Sequence, residues 1–146
     1  MRVFLCSFDT FFLAIPMNAV SSLSLPQSSD LLEQHDNIIA YNQENRNKYL
    51  SLPLLFNHSP ESIRHAIVLK NPDDKDDDII ENKIILLSTA VERETEIPDD
   101  EIFPIPKMFN GTRFSVLFNG MLCANSLILI LNINGLINYT QEEKTL

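Results

Sequence analysis

Glycine appears only three times in 146 residues, tryptophan not at all and cysteine twice. So few glycines exclude a collagen-like chain, a glycine-rich phosphate loop and flexible glycine linkers. Cys6 and Cys123 stand far apart with no C-x-x-C pair, which argues against a disulfide scaffold and a cysteine zinc site. Both lie in apolar patterns and read as small buried hydrophobes. Bases are in deficit: 11 Lys and Arg oppose 20 Asp and Glu, giving a net charge of -9. That balance argues against wrapping nucleic acid or lying on an anionic membrane. No run approaches the ~18 apolar residues of a membrane span. With no tryptophan and no interleaving of bases and aromatics, a stacking platform for single strands is not indicated. His35, His58 and His65 have no H-E-x-x-H or H-x-E partner and read as loop or strand-end residues. No G-x-S-x-G is present either, so the chain reads as non-enzymatic, with no cofactor, no metal and no catalytic residue. A small hydrolase whose site assembles only on folding is the opposing reading.

What the chain does have is an ordinary globular balance, 45% hydrophobic and 21% charged residues. Its length suits one domain with a core that needs no crosslink. The acidity is concentrated. Between Asn71 and Glu101 stand twelve acids against Lys75, Lys83 and Arg93, which accounts for the whole net charge of -9. The segment marks one face or one loop. Its densest part, Asp73–Asp78, suggests a calcium loop, but the spacing fails. Counting from Asp74, the sixth position is Ile79 instead of glycine and the twelfth is Ile85 instead of glutamate. The run reads as a solvated turn that binds no metal.

Short apolar stretches recur at Val3–Phe8, Phe11–Ile15, Ala19–Leu25, Asn37–Tyr41, Tyr49–Leu52, Ala66–Leu69, Ile84–Leu87, Phe114–Phe118 and Ser126–Leu131. Their β-branched and aromatic content predicts strands. Two short helices are expected, one capped by Ser29 and one around Asn134–Tyr139. Met1-Arg2 followed by an apolar run has the outline of a secretory signal, but Asp9 breaks the run. The segment reads better as a hairpin turning at Asp9-Thr10. Many short strands at close spacing predict an all-β sandwich or barrel. Ile84–Leu87 and Leu127–Leu131 are apolar on both faces, so each needs cover on both sides. Two small barrels packed face to face, or a partner-binding surface, would supply that cover.

The order of these segments resembles the CheW-like domain, the adaptor module of bacterial chemotaxis arrays. Val3–Phe8 leading to Phe12–Val20 looks like the family's first hairpin with its Ala-Ile-Pro strand. Tyr49–Phe56 is similar to its third strand and turn, and Arg64–Leu69 with Ile84–Leu87 to its central pair. Glu96-Ile97 through Ile102–Pro106 resembles the return toward the first barrel. Ser126–Asn132 with Leu136-Ile137 matches the closing strand and helix. The likeness spans about residues 2 to 138. The family's Gly-Val-x-Asn-x-Arg-Gly stretch corresponds to Tyr41–Asn47 here, without glycine. Arg46 stands at the arginine and Asn47 at the glycine, where asparagine tolerates a left-handed conformation. Ser88 and Asn132 replace two aspartates.

The resemblance implies a single domain over residues 1–146, built as two intertwined five-stranded SH3-like barrels with short helices. It implies a cytoplasmic adaptor, working at receptor arrays under the inner membrane without inserting into it. Such a module couples the cytoplasmic tips of chemoreceptors to the regulatory domain of the histidine kinase CheA, docking the tip between barrels and pairing one barrel with a like barrel of the kinase. Arg46, Asn47 and Asn42 are the partner-binding residues the resemblance implies. The alternative is a secreted or surface β-sandwich glycoprotein, using the acceptor tripeptides at Asn57, Asn110 and Asn138.

Overall fold

The structure, a computed structural model, describes residues 1–8, 10–25, 38–41, 46–56, 63–70, 83–123 and 126–144. Among them the strands run β1 (Arg2–Ser7), β2 (Phe11–Pro16), β3 (Val20–Ser24), β4 (Ile39–Tyr41), β5 (Lys48–Ser51), β6 (His65–Leu69), β7 (Ile84–Ser88), β8 (Ala90–Glu96), β9 (Phe118–Cys123) and β10 (Leu127–Leu131). Three α-helices accompany them: α1 (Leu52–Leu55), α2 (Arg113–Leu117) and α3 (Ile133–Lys144). The strands form two five-stranded sheets, in the orders β8-β1-β2-β10-β9 and β3-β6-β7-β5-β4. This is the all-β architecture expected. The first unit joins Met1–Asn18 to Val91–Leu146, and the second, Ala19–Ala90, is inserted between those halves.

In the first unit the opening segment is the predicted hairpin. β1 and β2 pair antiparallel from Val3↔Pro16 to Ser7↔Phe12. At its turn the Phe8 N–H donates to the Phe11 carbonyl at 2.9 Å, and the two rings stack 5.1 Å apart. β10 then inserts between β2, to which it is parallel, and β9, to which it is antiparallel. The two halves of the unit therefore meet in one sheet, as the apolar closing strand required. Val3, Leu5, Ala14, Ile97, Leu122 and Ile130 form a core cluster, with Phe12, Ile102 and Ile128 packed against it. Leu129, Ile130 and Leu131 are all buried in succession, so β10 is covered on both faces.

A joint of backbone and side-chain bonds follows β10. The Asn132 N–H donates to the Leu117 carbonyl at 2.8 Å, and its Nδ2 donates to the Val116 carbonyl at 3.3 Å. Its Oδ1 accepts the Gly135 N–H at 3.3 Å, capping the first turn of α3. One amide thus ties the end of α2 to the start of α3. The aspartate expected at this position would have no hydrogen to offer Val116.

The second unit has its own core of Ala40, Tyr49, Ile63, Ala66, Ile85 and Leu87, with Val68 against it. β7 runs parallel to β5 and antiparallel to β6. Ser51 caps α1 by accepting the Leu54 N–H at 3.3 Å, and Pro53 fits the first turn, where its missing donor does no harm. α1 lies against β5 and β7, covering part of a strand pair that is apolar on both faces. Ser88 is fully buried, and its hydroxyl has no hydrogen-bond partner among the described residues. An uncharged side chain has a lower desolvation cost there than the expected aspartate.

Several expectations are corrected. Phe114–Phe118 is not a strand: Arg113–Leu117 is helical, and the strand begins at Phe118. A short apolar run fits either form, and here the run divides at Leu117, buried as the helix's last residue. β8 was hidden inside the acidic segment, because Val91, Arg93 and Thr95 alternate with glutamates on a strand at the sheet's edge. Arg2 pairs with Glu94 at 3.3 Å beside it. Cys6 is buried as expected, whereas Cys123 is exposed. His65 begins β6, a strand end as read. The helix at Ser29, His35, His58, the acceptor at Asn57 and the Asp73–Asp78 run lie outside the described residues.

Two outcomes test this arrangement. A chain ending at residue 125 lacks the strand between β2 and β9, and its first unit is expected to lose its cooperative urea transition. In the full chain, Leu129→Ala should cost about 2–5 kcal/mol by the same measurement. Gly135→Ala tests the joint with opposed signs. Helix propensity alone would stabilise α3 by about 1 kcal/mol. A Cβ at Gly135 would instead fall onto the Val116 carbonyl, a backbone atom that cannot turn aside. A net loss of about 1–3 kcal/mol is expected, and a raised melting temperature would contradict this packing.

Candidate partner-binding site

The turn entering β5 carries two of the residues implied as contacts, and it treats them oppositely. Arg46 is exposed and has φ +60°, the left-handed region. Asn47 is 1% exposed, and its Oδ1 accepts the Lys83 N–H at 2.9 Å. The Lys48 N–H in turn donates to the Lys83 carbonyl at 2.9 Å. The start of β5 is therefore clamped to the start of β7 on both sides of Lys83. The left-handed residue is Arg46 and not Asn47, which corrects the expectation that asparagine would take the glycine's place in the turn. The physical reason is that the Asn47 amide is used inside, so the preceding residue absorbs the reversal. A left-handed non-glycine residue costs about 1–2 kcal/mol, and the clamp fixes it with its side chain in solvent. Asn42 lies outside the described residues.

A second exposed feature escaped the sequence reading. Between single 3-10 turns at Asp99–Glu101 and Lys107–Phe109, the chain Ile102–Pro106 runs beside β9. Phe103 and Met121 exchange both backbone hydrogen bonds at 2.8 Å, which pins this segment to the edge of the first sheet. Yet Phe103 is 61% exposed and Met108 is 80% exposed. Pro104 and Pro106 are exposed as well. Two large apolar side chains five residues apart are thus left in water, one of them on a backbone that is paired to β9. Aromatic and methionine side chains are enriched at interface cores. The available sequence signal was the pattern itself, apolar residues alternating with prolines that cannot continue a central strand.

Among the described residues no three His, Cys, Asp or Glu side chains converge as a metal set. No helix among them is long and apolar enough to cross a membrane. The glycosylation tripeptide at Asn138 lies within α3, and its Thr140 is fully buried with the hydroxyl donating to the Ile137 carbonyl.

Comparison with known proteins agrees with the fold. No protein-family model matches the chain, and no curated protein matches it in sequence. Among solved structures it is similar to the scaffolding protein TtCheW from Thermoanaerobacter tengcongensis, with a TM-score of 0.59 and 13% identity over 90% of this chain and 84% of that one. At that identity the likeness is one of fold, a CheW-like arrangement of two five-stranded sheets.

The clamp predicts separable effects in one turn. Asn47→Ala removes the acceptor from a buried N–H and should cost about 1–3 kcal/mol in denaturant titration. Arg46→Gly should leave stability within about 1 kcal/mol, since glycine accepts the left-handed φ while gaining freedom in the unfolded chain.

Proposed function

We propose that this chain is a non-enzymatic adaptor of chemotactic signal transduction, working in the cytoplasm as one domain of two units. In this reading it couples chemoreceptor tips to the regulatory domain of the histidine kinase CheA by protein contacts alone. The observation that carries the proposal is the fold likeness to a scaffolding protein along nearly the whole of both chains. Two surfaces support it. Arg46 offers an exposed cation next to the Asn47–Lys83 clamp, suited to a carboxylate or backbone carbonyl on a partner. Phe103 at the sheet edge and Met108 in the turn that follows offer apolar anchors, suited to pairing with a like sheet unit of the kinase. Asn47 would act from inside the turn, holding Arg46 in place.

Signalling through such a module needs no covalent step. A partner that binds one conformation of the receptor more tightly than another shifts its population by that difference. Side chains on a backbone held by other bonds suit this task, because contacts fixed in advance lose little ordering entropy on binding.

The test is a calorimetric titration of the full chain with the kinase regulatory domain and with a soluble receptor tip. Binding to at least one is expected; binding to neither overturns the proposal. Arg46→Ala, Phe103→Ala and Met108→Ala should each leave the melting temperature nearly unchanged, as exposed substitutions do. At least one of the three should weaken a partner by about tenfold or more, the loss of one interface anchor.

A further inference from the structure

All three glycines in the chain follow an asparagine: Asn110-Gly111, Asn119-Gly120 and Asn134-Gly135. In such a pair the glycine nitrogen reaches the asparagine side-chain carbonyl with no Cβ in the way. All three asparagines are exposed, so exposure alone does not distinguish them. Their backbones do. Gly120 lies within β9, in register with Ile130 of β10, and Ile102 packs where its Cβ would stand. Gly135 is in the first turn of α3, with its N–H bonded to Asn132 and the Val116 carbonyl against it. Neither nitrogen can swing toward the preceding side chain without breaking the ladder or the helix.

Asn110-Gly111 differs on each count. It follows the Lys107–Phe109 turn, both residues are exposed, and nothing lies within 4 Å of the place of a Gly111 Cβ. Gly111 has φ +82°. The N–H groups of Asn110 and Thr112 are bonded to the Lys107 and Phe109 carbonyls. Among the described residues no such bond holds the Gly111 N–H. Ring closure requires Asn110 to rotate from ψ 135°, and a turn flanked by glycine can absorb that rotation.

We propose that Asn110 is a site of spontaneous deamidation, selected by the fold from three chemically equivalent Asn-Gly pairs. The Gly111 nitrogen attacks the Asn110 side-chain carbonyl carbon. A new C–N bond closes a five-membered succinimide, the bond to the side-chain nitrogen breaks, and that nitrogen leaves as ammonia with the proton from Gly111. Water then adds to one of the two ring carbonyls and opens the ring to aspartate or isoaspartate. The net change is amide plus water to acid plus ammonia, with no oxidant or catalyst. The product places a carboxylate three residues after Lys107 and two after the exposed Met108. The inference does not rest on the adaptor reading.

The test is incubation of the full chain in mildly alkaline buffer, followed by peptide mass mapping and isoaspartyl methyltransferase labelling. Conversion is expected at Asn110 first, with Asn119 and Asn134 well behind, and the difference should collapse in urea. Asn110→Gln should abolish the early product while leaving the melting temperature unchanged. Equal conversion of all three sites in the native chain would overturn the proposal. So would protection of Asn110 in buffer that is lost only in urea.

Discussion

The first unit depends on one pairing, β10 lying parallel to β2. These strands come from opposite ends of the chain, with the whole second unit between them in sequence. This pairing joins the two halves of that sheet, because in the strand order β8-β1-β2-β10-β9 it is the link between β8-β1-β2 and β10-β9. A contact at such separation carries the loop-closure entropy of everything between. Prior folding of Ala19–Ala90 into its own sheet would replace a long flexible loop by a compact insert and lower that cost. The same argument makes the closing strand a late, cooperative event, since non-local pairing slows folding.

The pairing also explains the hydrophobic pattern. A strand at the centre of a sheet covered on both faces has no polar side to present, and Leu13–Ile15, Ile85–Leu87 and Leu129–Leu131 are buried residue after residue. The sheet edges show the opposite. β8 carries exposed Arg93, Glu94 and Glu96, β4 has three residues, and β3 ends in serine. Charge, shortness and weak hydrophobicity are the means by which an edge avoids pairing with another chain. The acidity of residues 91–101 thus has a structural use in the first unit, whatever it contributes to partner choice.

That contrast sets what was legible in the sequence. Central strands could be read because continuous β-branched and aromatic runs have few other homes, and the pairing of β1 with β2 could be read because a charge, at a position outside the described residues, interrupts such a run. β8 could not, since an edge strand of alternating glutamates looks like a solvated loop until its neighbour β1 is known. Arg113–Leu117 could not, because five residues are too few to show a period. At the candidate site the segment was legible and the roles were not. Asparagine is the better left-handed residue by propensity, yet the hydrogen bond from Lys83 draws Asn47 inside and leaves Arg46 to make the turn. Tertiary bonds decided a local preference. Phe103 and Met108 were missed for a related reason: hydrophobicity is written in the sequence, but exposure is a property of the fold.

Both candidate surfaces share one design. In each, the backbone is held by bonds that the exposed side chain does not make: Asn47 and Lys48 to Lys83 behind Arg46, and the paired bonds to Met121 behind Phe103. Stability and contact are thereby placed on different atoms. A side chain that contributes nothing to folding can be altered without loss of the sheet, so its identity is left to whatever it meets. A catalytic site rarely permits this, because its reacting groups must be held by the same packing that they perturb. The sheets can therefore persist while the exposed side chains change, and the likeness to TtCheW, at 13% identity, is likewise one of fold and not of residues.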